Sequence, residues 1–231
     1  MKNLIAATLL LLASTLPAFA ADTDADYSPE ALVLKEKAVK GDAEAAYNLA
    51  ACYHLGNGCP QNDATAAKWL TTAASAGDTD AMVNLGDFYH MGIGVTQDEA
   101  EALHWYHVAA GHGSAEGEYS IAKAYAEGSG VKADPAQAKS WYLRAANQGL
   151  GKAQLDAARI YMQENDYPNA YMWFGIAAKY DEKGAAALRD RVRSTLTADQ
   201  VTAVDKKIKA WRAVSEHGGY DQRRAGNPNL K

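Results

Sequence analysis

The chain has 231 residues, 48% of them hydrophobic and 22% charged, with a formal net charge of −5, which is enough to bury a sizeable core as one unit or two. The charge is uneven: residues 21–178 hold 10 Lys and Arg against 21 Asp and Glu, whereas residues 179–231 hold 12 against 7. So acidic a body argues against nucleic acid, whose phosphates attract basic surfaces; the basic end, with Arg189, Arg191, Arg193, Lys206, Lys207 and Lys209, suits an acidic partner, a membrane surface or a solvated helix face.

Residues 1–20 read as a secretory signal: Lys2, an apolar run from Leu4 through Leu12, and Ala18-Phe19-Ala20 before a cleavage point between Ala20 and Ala21. The run is well short of the roughly 20 residues that span a bilayer, so no transmembrane segment is expected after cleavage. No cysteine follows the cleavage point to carry a lipid. The expected location is the periplasm or the medium. Residues 21–40 form an N-terminal capping helix, with Ser28-Pro29-Glu30 as N-cap and first turn, an end near Lys40, and Val33 and Ala38 at the places of a degenerate second repeat helix.

From residue 41 the sequence repeats every 36 residues, at 41–76, 77–112 and 113–148, with a fourth copy at 149–180 that lacks four residues. Such a period predicts a solenoid of helical hairpins. Tyr53, Tyr89, Tyr125 and Tyr161, with Leu49, Leu85, Ile121 and Ala157 one turn earlier, mark the buried stripe of a first helix. Trp69, Trp105, Trp141 and Trp173, each flanked by alanines at fixed spacing, mark a second helix whose indoles fill the gap between helices. Between the helices lie HLGNGCPQN, HMGIGVTQD and AEGSGVKAD. A phosphate loop needs a preceding strand, and here a helix precedes the glycines. The first glycine of each pair is expected to end the helix in the left-handed conformation, and the second to let the chain turn tightly. Residues 181–217 are expected to form C-terminal capping helices: Thr197-Ala198-Asp199-Gln200 is a capping box opening a helix through about Ser215 that carries Trp211. Residues 218–231, rich in glycine and polar residues, read as a flexible tail.

Cys52 and Cys59, the two cysteines, fall where the other repeats carry Phe88, Ala124 and Ile160, or Val95 and Val131. Both therefore point inward, and in an oxidising compartment a disulfide is predicted; two buried free thiols are the alternative. His104-x-x-His107 puts two imidazoles on one helix face, but no carboxylate or thiol completes a ligand pattern, so no metal is expected. Ser120-Ile121-Ala122-Lys123 matches the Ser-x-x-Lys of penicillin-recognising enzymes, yet neither Ser-Asp-Asn nor Lys-Thr-Gly occurs, and no catalytic residue or cofactor is expected.

The pattern Gly-x-x-x-Ala, Leu-(Gly/Ala)-x-x-Tyr, Gly-x-Gly-Val, Ala-x-x-Trp-x-x-x-Ala-Ala over residues 41–180 resembles the Sel1-like repeat family, relatives of the tetratricopeptide repeats. Departures are Cys59 for valine, Gly117 for alanine and the short fourth repeat. The resemblance implies an all-α, right-handed α-solenoid of Sel1-like (TPR-like) helical hairpins between capping helices, with a concave surface lined by first helices. That surface would carry Tyr47, His54 and Leu55; Val83, Asp87, His90 and Met91; Tyr119, Lys123 and Glu127; then Arg159 and Met162. Aromatic, methionine and arginine side chains among charges suit capture of a protein. The family implies an exported scaffold or adaptor with a periplasmic, envelope or host protein as partner, or an immunity protein against a secreted lipase-type toxin. A cysteine-rich branch is linked to β-lactam binding and hydrolysis, but this chain lacks that branch's cysteine pair in each repeat.

Overall fold

A computed structural model describes residues 24–180 and 182–214; the expected signal of residues 1–20 with its cleavage point, and the expected tail of 218–231, lie outside the described residues. After a short 3-10 turn at Asp24–Asp26 come eleven α-helices: α1 Pro29–Val39, α2 Ala43–Leu55, α3 Asp63–Ser75, α4 Thr79–Met91, α5 Glu99–Gly111, α6 Ala115–Glu127, α7 Pro135–Asn147, α8 Gly151–Gln163, α9 Tyr167–Lys179, α10 Ala185–Arg193 and α11 Ala198–Ala210. No strand occurs among the described residues. The chain divides into two compact units, one holding the residues up to 78 with 93–95, the other holding 79–92 with those from 96 onward.

In the first unit α2 and α3 form a hairpin and α1 packs on α2. Ser28 caps α1 by accepting from the Ala31 amide at 3.2 Å, and Pro29 occupies the first turn, where its missing amide proton is not needed. Ala38 is buried as expected, but Val33 is half exposed, on a side of α1 turned away from its packing on α2. The Ser28 amide donates to the Gly58 carbonyl at 2.8 Å, and the hydroxyls of Tyr27 and Tyr53 share a hydrogen bond. Cys52 and Cys59 are joined in a disulfide with a Cα–Cα distance of 5.6 Å. It closes the α2–α3 loop on which α1 is capped.

In the second unit α4/α5, α6/α7 and α8/α9 are hairpins, α5 packs on α6 and α7 on α8, and α10 and α11 close the end against α9. Every hairpin in either unit is locked in the same way. The N-cap residue of the second helix, Asn62, Asp98, Asp134 or Asp166, donates its amide to the carbonyl of the repeat tyrosine, Tyr53, Tyr89, Tyr125 or Tyr161, at 2.8–2.9 Å. The same cap side chains accept from amides of the first turn, a contribution of about 1 kcal/mol each. The fourth repeat keeps this bond with four residues fewer because Asn165, at φ 61°, supplies the left-handed residue that glycine supplies elsewhere.

Two expectations about the core need correction. The indoles do not bear the packing evenly: Trp69 and Trp173 are buried, whereas Trp105 and Trp141 are half-buried. The deeper residue in the middle repeats is the one after the tryptophan, Tyr106 or Tyr142, matching Leu70 and Phe174 in the outer ones. The second glycine of each pair does more than turn the chain. At Gly130, φ 69°, a Cβ would lie 2.3 Å from the Glu99 carbonyl oxygen, so the loop of one repeat is pressed on the start of the preceding second helix.

The C-terminal helix is also shorter than expected. Thr197 opens α11 with the predicted capping box, but the helix ends at Ala210 instead of near Ser215. Trp211 turns extended, which lays its ring edge-on to Trp173 and Tyr180, with centroids 6.4 and 5.6 Å away. The Val214 amide then donates to the Asn147 carbonyl at 2.8 Å.

Candidate functional site

In the second unit the first helices α4, α6 and α8 lie in order. The Tyr119 hydroxyl of α6 donates to Asp156 of α8 at 2.9 Å. Between α4, α5 and α6 opens a pocket of about 60 Å³. Four of the residues expected to bind a partner meet there: Asp87 and His90 from α4, Lys123 and Glu127 from α6. Each first helix brings one charged face to the same side because the buried stripe of the helix faces its own hairpin.

Three polar pairs set the chemistry of this region. The Tyr106 hydroxyl donates to Asp87 at 2.7 Å, and His90 Nδ1 meets Glu99 at 2.7 Å. Asp156, besides accepting from Tyr119, pairs with Arg159 at 2.5 Å. Burial first, then the adjoining carboxylates Asp87 and Asp156, push the Tyr106 and Tyr119 hydroxyls well above the ordinary phenol range. Tyr142 is pushed up to about 12 by burial and by the charges of Asp156 and Glu127. These phenols remain protonated donors at any physiological pH. The local field is negative, with Lys123 set into it as an exposed cation.

The other expected site residues divide by exposure. Met91 and Arg159 are exposed. Val83, Tyr119 and Met162 are half-buried and pack against the core, so they give the face less than the repeat pattern suggested. Tyr119 lies edge-on to Tyr142, with Lys152 Nζ 4.4 Å above its ring.

In the first unit Tyr47 and His54 are half-buried and Leu55 is 69% exposed. Leu55 borders a separate pocket with Leu34, Asn48, Ala51 and Asn57. The recurrence of histidine at 54 and 90 has a local cause. Each ring bonds the first residue of the next helix, His54 to Asp63 at 2.6 Å and His90 to Glu99 at 2.7 Å, while Gln61 or Gln97 donates to the carbonyl of the same histidine. His107, its pKa lowered by burial and then by His104, stands edge-on to Trp141, and His104 edge-on to Trp105. No group of three or more potential metal ligands occurs among the described residues. Ser120 and Lys123, of the Ser-x-x-Lys match, line the pocket one helical turn apart.

Tyr106, Glu99, Tyr142 and Asp156 were not singled out from the sequence, yet Tyr106 and Glu99 bond the pocket's Asp87 and His90, and Asp156 bonds Tyr119 and Arg159 beside Tyr142. A signal was present: the residue after the repeat tryptophan carries a hydroxyl only in the middle repeats, where Leu70 and Phe174 are purely apolar in the outer ones.

Stacked helical hairpins with an ordered row of first helices define an all-α solenoid. The sequence profile of the Sel1 repeat matches residues 43–78, 79–114, 115–150 and 152–179, and the chain belongs to that family. Sel1 repeat proteins generally mediate protein–protein interaction. Among solved structures, a protective antigen of uropathogenic Escherichia coli strains displaying an SLR fold, c5321, is 29% identical with a TM-score of 0.69, over 79% of this chain and 41% of that one. A Sel1 repeat protein from Oxalobacter formigenes is 34% identical with a TM-score of 0.62, over 64% of this chain and 63% of that one. This chain thus spans less than two thirds of either. The immunity protein Pa5087 of Pseudomonas aeruginosa aligns at 18% identity and a TM-score of 0.37, too slight a likeness to bear on function. No curated protein matches the chain.

Proposed function

We propose that the chain is an exported, non-catalytic adaptor that captures a protein partner on the α4–α6–α8 face. The observation that carries this reading is the pocket shared by α4, α5 and α6, where Asp87, His90, Lys123 and Glu127 from successive repeats converge. Met91, Lys123, Glu127 and Arg159 stand exposed on these helices as flexible and charged contacts, the kind of side chain with which a partner's anchors pair. Export agrees with the disulfide, which persists in oxidising compartments. It agrees also with the likeness to a protective antigen. No helix among the described residues is long and apolar enough to cross a membrane. The partner expected is a periplasmic, envelope or host protein.

The test is capture from a periplasmic extract by the wild-type chain and by a Met91→Ala, Lys123→Glu, Arg159→Glu variant. At least a tenfold loss of the captured protein is expected with an unchanged helical spectrum, since about 1.4 kcal/mol is enough for that factor. Undiminished capture would move the site elsewhere. A chromogenic β-lactam serves as the catalytic control: turnover by the wild type that Ser120→Ala abolishes would replace adaptor with enzyme.

A further inference from the structure

The closing end of the second unit carries a strong charge of opposite sign to the body. Arg191 and Arg193 on α10, Lys206, Lys207 and Lys209 on α11, and Arg212 just beyond it are all exposed. None of these six has a carboxylate ion-pair partner among the described residues, and the Arg189–Asp190 pair at 2.8 Å is the ion pair of this end. The acidic groups nearby are few and partly engaged: Asp190 holds Arg189, Asp205 accepts the Tyr171 hydroxyl at 2.9 Å, and Asp199 sits in the first turn of α11.

Bases in the last turn of a helix complement its dipole, which accounts for Arg191, Arg193, Lys207 and Lys209 individually. It does not account for Lys206, nor for apolar groups left exposed where α9 and α11 end, next to Lys207, Lys209 and Arg212 in the chain. Tyr180 is 46% exposed and Val214 61%, and Trp211 bridges Tyr180 to the buried Trp173. Long basic side chains around exposed aromatic and aliphatic groups are the pattern of a membrane–water interface, where the rings sit at headgroup level and the cations meet phosphates.

We propose that the end formed by α10 and α11 docks on the surface of an anionic phospholipid bilayer. The charges are spread over two helices on flexible tips and fix no single anion geometry, which suits a diffuse sheet of negative charge better than one carboxylate on a protein. Both helices pack on α9 at the end of the unit. The acidic groups of α4 and α5 are therefore several helix diameters of roughly 10 Å away, beyond the distance over which salt screens exposed charge. This docking is independent of the adaptor role and would hold the chain by its end while the α4–α6–α8 face stays free.

The test is co-sedimentation of the protein, as isolated from an expressing cell, with vesicles of phosphatidylcholine alone and of equal parts phosphatidylcholine and phosphatidylglycerol. Binding is expected only with phosphatidylglycerol, and to weaken with salt. Arg191→Glu, Arg193→Glu, Lys206→Glu, Lys207→Glu together should lower the partition at least about 100-fold. The same charge change at the exposed Lys37, Lys40, Lys68 and Lys132 should leave most of it. Should the first variant fail to fold, brominated phosphatidylglycerol still decides: it should quench wild-type fluorescence, and Trp211→Phe should remove that quenching. Binding indifferent to phosphatidylglycerol, equal loss in both quadruple variants, or no quenching would overturn the proposal, and an acidic protein would then be the occupant to seek.

Discussion

Gly86→Ala sets two effects of opposite sign against each other. Gly86 lies inside α4, where helix propensity alone favours alanine by about 1 kcal/mol. A Cβ there would lie 2.5 Å from Tyr106 Cε1 and 2.7 Å from Cδ1, against an ordinary contact of 3.4–4 Å. The ring must retreat by roughly 1 Å, yet Tyr106 is 6% exposed and its hydroxyl is tied to Asp87 at 2.7 Å. Overpacking costs about 1–3 kcal/mol, and loosening a hydrogen bond to a charged acceptor about 1.5–3. The net expectation is destabilisation of about 2 kcal/mol, or a Tm lower by roughly 4–8 °C in a chain of this size. Urea denaturation of Gly86→Ala, Tyr106→Leu and the double variant measures it. The double variant installs the Ala50–Leu70 pair of the first repeat, so a favourable coupling of at least about 1 kcal/mol is expected. A neutral or stabilising Gly86→Ala would mean that Tyr106 is not held against α4.

Three further outcomes are expected. Glu118 is fully buried, accepting from Arg144 at 2.8–2.9 Å and from Gln148 at 2.8 Å, while the Arg144 side chain is 41% exposed. Arg144→Ala strands a buried charge and should cost about 3–5 kcal/mol, whereas Glu118→Ala lets the arginine turn to water and should cost about 2; the reverse order in urea melts would contradict this packing. Removing the disulfide with Cys52→Ala and Cys59→Ala should cost about 2.5 kcal/mol for so short a loop, and reductant should then have no further effect; a reductant response in the double variant would point to another cause. Tyr106, Tyr119, Tyr142 and Tyr171 are all raised above the unfolded phenol value near 10, chiefly by burial. Each favours its protonated form more in the folded chain, so that contribution is complete below pH 10 and is lost as pH rises toward and past about 12. Phenolate absorbance should show ionisation of these four continuing well above pH 10, and a single transition near pH 10 in the folded chain would refute the burial.

The period, the helix pairs and the caps were legible because they rest on local rules. Asp98 and Asp134 stand nine residues after Tyr89 and Tyr125, and the bond between them is a matter of loop length and an N-cap side chain. Tertiary effects were not legible. Nothing in SPEALVLKEKAVK reveals that Val33 is left exposed, because that depends on which side of α1 packs on α2. The end of α11 is set by Trp211 leaving the helix for Trp173 and Tyr180, a contact between residues 31 and 38 positions apart. At the site, charged positions of the first helices were readable from the repeat, but their pairing was not. Glu99 bonds His90 and Tyr106 bonds Asp87, pairings made by the neighbouring helix α5 that the repeat position of the first-helix residue does not encode.

Site-specific photo-crosslinking in the producing cells tests partner capture most directly. A crosslinking residue would replace Lys123, Glu127 or Arg159 on the proposed face, or Gln137 or Ser140 on the exposed side of α7. One protein adduct common to the first three positions and missing from the last two is the expected result. Adducts from Gln137 and Ser140 with none from Lys123, Glu127 and Arg159, or no adduct from any position, would contradict capture on the α4–α6–α8 face.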